Sequence, residues 1–110
     1  MNSRETWSVK IPARLAEIVT ELGEPYGVKL SSLLRLLVWE AVNKGELEQP
    51  SDPRKRGELC VLVKVYMPKN LANSARALAQ RYGLTSSGLL GALLAEWVAK
   101  RNSTNTAVRA

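Results

Sequence analysis

Two short stretches of this chain alternate strictly between apolar and polar residues. In the first, Trp7, Val9 and Ile11 share one face, with Thr6, Ser8 and Lys10 on the other. In the second, Val61, Val63, Val65 and Met67 alternate with Leu62, Lys64 and Tyr66. A period of two predicts a half-buried β-strand in each. Each stretch ends at a proline, Pro12 or Pro68, which stops a strand and suits the first turn of a helix.

The period then changes. Leu15, Ile18, Val19 and Leu22 fall on one helical stripe, and Leu71, Ala75, Leu78 and Ala79 on another, predicting helices over 13–23 and 69–81. Gly27 and Gly83 stand where a left-handed turn would close them. Second helices are predicted over about 30–44 and 86–101. Their sequences, LSSLLRLLVWEAV and SSGLLGALLAEWV, are apolar on more than one face, so both should be buried. The three tryptophans are expected in the core.

The two halves are copies of one pattern. Residues 7–44 align with 63–100 without a gap at an offset of 56, and 14 of the 38 positions are identical. The identities fall on the apolar positions and the punctuation, Pro12, Gly27 and Ser31 among them. One strand and two helices cannot bury enough apolar surface to offset their ordering entropy. A lone strand also leaves its backbone groups unpaired. Two such units remove both difficulties if their strands pair antiparallel and their helices stack behind. The expected layout is one domain over 1–110: a first unit at 5–44, a linker at 45–59, a second unit at 60–101 and a flexible tail at 102–110. The linker is marked by its prolines, glycines and charges.

Composition narrows the function. The chain has 16 Lys and Arg against 10 Asp and Glu, a formal charge of +6. The excess sits in residues 51–110, which carry ten basic and three acidic side chains. That suits a polyanionic partner. The chain has no histidine, and no paired carboxylates or phosphate-binding glycine loop are evident, so an enzyme is not expected; neither is a metal nor another cofactor. A single cysteine, Cys60, excludes an internal disulfide and fits a reducing cytoplasm. The opening MNSRETWSVK holds no apolar stretch that would read as a signal peptide, and the apolar runs are too short to span a bilayer. No membrane partner is expected.

The order and duplication of these elements resemble the ribbon-helix-helix (Arc/MetJ-like) DNA-binding family. The strands ending in Pro12 and Pro68 carry the resemblance, together with the GLTSSGLL turn at 83–90, and it covers residues 6–44 and 61–101. Both units lie in one chain, which looks like the tandem arrangement of TraY-type proteins of conjugative plasmids. The fold this implies is mainly α with a short two-stranded antiparallel β-ribbon, a tandem ribbon-helix-helix pseudo-dimer. The implied function is sequence-specific binding of double-stranded DNA, as a transcriptional regulator or as an accessory factor in plasmid transfer or maintenance.

The resemblance also implies site residues. The outward side chains of the ribbon would read bases in the major groove: Thr6, Ser8 and Lys10 from one strand, Leu62, Lys64 and Tyr66 from the other. Lys10 and Lys64 can donate to guanine; Leu62 either meets a thymine methyl or is plain packing. Phosphate would bind at the N-termini of the second helices, at Lys29, Leu30 and Ser31 in one half and at Thr85, Ser86 and Ser87 in the other. Thr85 is a good cap there. Lys29, its counterpart, cannot accept a capping bond, which moves the expected start of that helix towards Ser31. Arg54, Lys55 and Arg56 can add non-specific phosphate contacts. Because the two strands differ, the DNA site should be asymmetric, and chains can self-associate on longer sites. Two other classes remain open: an antitoxin, and a protein–protein interaction module with no DNA role.

Overall fold

A computed structural model describes residues 4–23 and 29–109, with side chains described over 4–21 and 29–101. The elements run β1 (Arg4–Pro12), α1 (Ala13–Gly23), α2 (Leu30–Lys44), β2 (Cys60–Pro68), α3 (Lys69–Arg81) and α4 (Ser86–Arg109). β1 and β2 form one antiparallel two-stranded sheet, with Ser8 opposite Lys64 at its centre. The alternation of each strand decides its sides. Trp7, Val9, Ile11, Val65 and Met67 are buried, while Thr6, Ser8, Lys10, Leu62, Lys64 and Tyr66 are exposed.

The four helices cover the apolar side of the ribbon. Val19, Leu34, Leu37, Val38, Ala72, Ala75, Leu89, Leu90 and Leu94 join the buried strand residues in one cluster. Every helix contributes, so neither half has a core of its own. Ala13 N–H donates to the Leu59 carbonyl at 2.9 Å, tying the start of α1 to the chain entering β2.

The expected mainly α tandem pseudo-dimer is overturned. The described residues form a single mixed α/β unit: one sheet of two nine-residue strands and four helices of unequal length. The internal repeat does not make equivalent halves, for three physical reasons. First, α2 has 15 residues and stops at Gly45, whose φ of 75° closes a left-handed turn. α4 has 24 and runs to Arg109, through the residues expected as a tail, because neither glycine nor proline follows Gly91 to end it.

Second, the helix starts differ. α2 begins at Leu30 with Lys29 in extended conformation and no side-chain cap, rather than at Ser31. Thr85 Oγ1 accepts the Gly88 N–H at 3.0 Å and caps α4.

Third, the linker packs onto the body, and its contacts with the two halves are not equivalent. Leu47 is buried, and its N–H donates to the Tyr82 hydroxyl at 3.2 Å. Further along, Pro53 lies against α4. A β-carbon on Gly91 would meet its ring at 3.0 Å, and one on Gly88 would meet Asp52 Oδ2 at 3.2 Å. Those glycines therefore seat the linker. Trp39, expected in the core with the other tryptophans, is instead 55% exposed.

The turn after α3 matches its sequence signal. Gly83 has φ of 69°, and Leu84 N–H reaches back to the Ala79 carbonyl at 2.8 Å. Gly27, expected to play the same part, lies outside the described residues. Among the described residues no helix is long and apolar enough to cross a membrane.

Candidate nucleic-acid interface

The outward face of the ribbon carries three cross-strand pairs: Thr6 with Tyr66, Ser8 with Lys64, and Lys10 with Leu62. All six side chains are exposed, so the structure brings together every position expected to read bases. Directly opposed residues lie within about 5 Å at their β-carbons. The six therefore form a patch two residues wide and three long, with an ammonium group in the centre and another at one corner. Tyr66 and Leu62 are 51% and 63% exposed, large for an apolar body on a sheet surface.

The register follows from the opposite face. A slip of one residue would turn Trp7, Val9 and Ile11 towards solvent and bring Ser8 and Lys10 into the core. The buried apolar row thus fixes the outward row. Contacts at the edges hold the ribbon in place. Trp7 Nε1 donates to Glu5 Oε2 at 2.6 Å, Arg76 forms an ion pair with the same carboxylate, and its guanidinium lies 5.7 Å from the Trp7 ring centre.

The two expected phosphate-binding termini differ in their surroundings. Ser87 Oγ accepts the Lys10 backbone N–H at 2.9 Å, so the start of α4 is pinned to the free edge of β1. That bond leaves the hydroxyl proton of Ser87 available to another acceptor. Ser86 and Ser87 are half-buried and Thr85 is exposed. Ahead of α2, Lys29 is exposed, and Leu30 and Ser31 are half-buried. Lys29 gives α2 no side-chain cap, so the first N–H groups of the helix lie next to an ammonium-bearing residue without a capping bond from it.

Asp52 and Arg54 complete the picture, and sequence reasoning missed the first of them. Asp52 Oδ2 sits beside the first turn of α4, and Arg54 holds it through Nη2 at 2.6 Å and Nε at 3.0 Å. Arg54 Nη2 also lies 3.4 Å from Thr85 Oγ1. The Arg54 bonds keep the Asp52 carboxyl below the ordinary aspartate range, against partial burial, which pushes it up. The same pairing raises Arg54. Arg54 is therefore not a free linker cation. Its charge is largely matched by Asp52, whereas Lys55 and Arg56 remain exposed. The signal in the sequence was the pair of glycines inside an otherwise apolar helix, which marks a close approach by another part of the chain.

The arrangement can do two things chemically. The outward row offers ammonium, hydroxyl and phenol groups to hydrogen-bond acceptors, and the helix termini offer backbone N–H groups and a positive dipole to anions. Among the described residues, no group of three side chains that could hold a metal ion comes together. No family model, no curated protein and no solved structure matches the chain.

Proposed function

We propose that this chain binds double-stranded DNA by laying the outward face of its β-ribbon in the major groove. One observation carries the proposal. A two-stranded ribbon buries Trp7, Val9, Ile11, Val65 and Met67 on one side and presents Thr6, Ser8, Lys10, Leu62, Lys64 and Tyr66 in one exposed row on the other. Strands lie about 4.8 Å apart, so two of them with their side chains fit a groove about 12 Å wide. Lys10 and Lys64 donate to guanine O6 and N7, and Thr6 and Ser8 donate or accept. Leu62 suits a thymine methyl.

The termini of α2 and α4 hold phosphates on either side. Lys29 and the uncapped N–H groups of α2 form one clamp, and Thr85, Ser86 and Ser87 form the other. The formal charge of +6 supports the reading, as does the resemblance to ribbon-helix-helix proteins. Sequence-specific occupancy of duplex DNA is the activity of a transcriptional regulator or of a plasmid transfer or maintenance factor.

The experiment is selection of bound sequences from a random duplex pool, followed by measurement with Lys10→Ala and Lys64→Ala. Each substitution should cost about 1–3 kcal/mol on the selected site and relax base preference. Failure to enrich any sequence would overturn base reading. Equal losses on selected and random DNA would move these lysines from readers to phosphate contacts.

A further inference from the structure

We propose that the outer face of α2 docks against the same face of a second copy of this chain, the two helices side by side and parallel. Leu36 and Trp39 are 51% and 55% exposed, the largest apolar groups left uncovered on any helix among the described residues. They lie one turn apart, and an open groove lined by Ser32, Arg35, Leu36, Trp39, Pro68 and Leu71 runs beside them. Nothing about the ribbon face accounts for this patch, so the inference goes beyond the DNA reading and does not depend on it.

The occupant follows from the charge pattern. Before its last residue, the exposed Lys44, the exposed positions of α2 are Ser32, Arg35, Leu36, Trp39, Glu40 and Asn43. Their spacing of three and four places Ser32, Leu36, Trp39 and Asn43 on one seam, in the a and d positions of a heptad. Arg35 precedes Leu36 in the g position, and Glu40 follows Trp39 in the e position. In a parallel pair of helices, g of one faces the e five residues later in the other, so Arg35 of each copy meets Glu40 of its neighbour twice over. Among the described residues neither makes a salt bridge within the chain. Arg35 has only a 3.5 Å contact to the Tyr66 carbonyl. Asn43 meets its own copy on the seam, where a lone polar residue sets register and pairing.

The patch also sets the strength. One seam of a 15-residue helix is far less than the roughly 800 Å² per partner of a stable interface. The pair therefore forms at high concentration, or where two chains are held close together.

The test is sedimentation equilibrium of the full chain from about 10 μM to about 1 mM, the range in which so small an interface associates. A weak monomer–dimer equilibrium is expected. Trp39→Glu should sediment as monomer throughout with an unchanged thermal melt, because the residue is exposed. Arg35→Glu should weaken the dimer about tenfold or more, and adding Glu40→Arg to it should restore association. Asn43→Cys in a Cys60→Ser background should cross-link on oxidation, since only a parallel seam brings the two Asn43 positions together. A wild-type chain that stays monomeric to the highest concentration overturns the proposal. A dimer indifferent to Trp39→Glu, or one in which Asn43→Cys does not cross-link, also overturns it.

Discussion

A β-carbon on Gly91 would lie 3.0 Å from both Cγ and Cδ of Pro53. The linker therefore rests on α4 where the helix has no side chain, and the glycine and the proline are one feature. Glycine inside a helix costs about 1 kcal/mol relative to alanine, and here the loss is offset by the packing it permits. Gly91→Leu should overpack and cost about 1–3 kcal/mol in a denaturant melt. Gly91→Ala gains helix propensity but meets the proline ring. Its effect should become more favourable by about 1 kcal/mol once Pro53 is replaced by glycine. A double-mutant cycle with no coupling would show that the linker does not rest there.

The single core predicts how the chain fails when divided. A fragment of residues 1–46 keeps β1, α1 and α2 but loses β2, the strand that β1 pairs with. It also loses Val65, Met67, Leu89, Leu90 and Leu94 from the buried cluster. Its strand groups would have no partners. The fragment should show no cooperative thermal transition by circular dichroism, and a mixture with residues 47–110 should regain one. A monomeric fragment that melts cooperatively would refute the shared core.

The seat of the linker also carries a pH dependence. Arg54 holds the Asp52 carboxyl below its ordinary value near 4. A carboxyl with a depressed native pKa stabilises the fold above its unfolded pKa and loses that contribution as pH falls through the native one. The melting temperature should thus drop as pH is lowered from about 5, and Asp52→Asn should start lower at neutral pH and lose part of that slope. Only part is lost, because Glu58 is lowered in the same way, by the Lys55 backbone N–H and by Arg14. A wild-type and an Asp52→Asn chain with parallel pH profiles would show that the pair contributes nothing to holding the linker.

Much of the architecture was legible because its signals are local. Period two in residues 6–12 and 61–68, the closing prolines and the apolar stripes each need only a few neighbouring residues. Gly83 was legible for the same reason: its left-handed turn is a demand of the backbone itself. The outward row at 6, 8, 10, 62, 64 and 66 followed from the buried row, since alternation fixes both.

What escaped was non-local. Composition marked residues 45–59 as a linker but did not say that Leu47 would be buried or that Asp52 and Pro53 would sit on α4. The duplicated pattern suggested equal halves, yet equality depends on helix ends and linker contacts that the repeat does not encode. Trp39 is expected in the core with the other tryptophans, but its angular position on α2 puts it outside, beside Arg35 and Glu40.

A half-turn about an axis through the Ser8–Lys64 pair would exchange Thr6 with Leu62, Lys10 with Tyr66 and Ser8 with Lys64. None of these exchanges conserves size, polarity and charge together. Each half of the groove would therefore be read by different chemistry, and the two clamps differ as well. Lys29 brings a positive charge to an uncapped terminus, while α4 is capped by Thr85 with the Asp52 carboxylate alongside. A ribbon with two equal strands matches a site with two-fold symmetry. This ribbon should prefer an asymmetric core, bound in one orientation. Lys29→Ala should weaken all sequences alike and reduce the salt slope by about one, whereas Thr85→Ala should weaken binding less, because Asp52 already opposes an anion there. Orientation is read by tethering a DNA-cleaving chelate to Cys60, which lies at one end of the ribbon opposite Pro12. Cleavage should fall on one flank of the selected site. A minimal one-chain site that is a perfect inverted repeat, cut equally on both flanks, would show that the differing strands do not read bases.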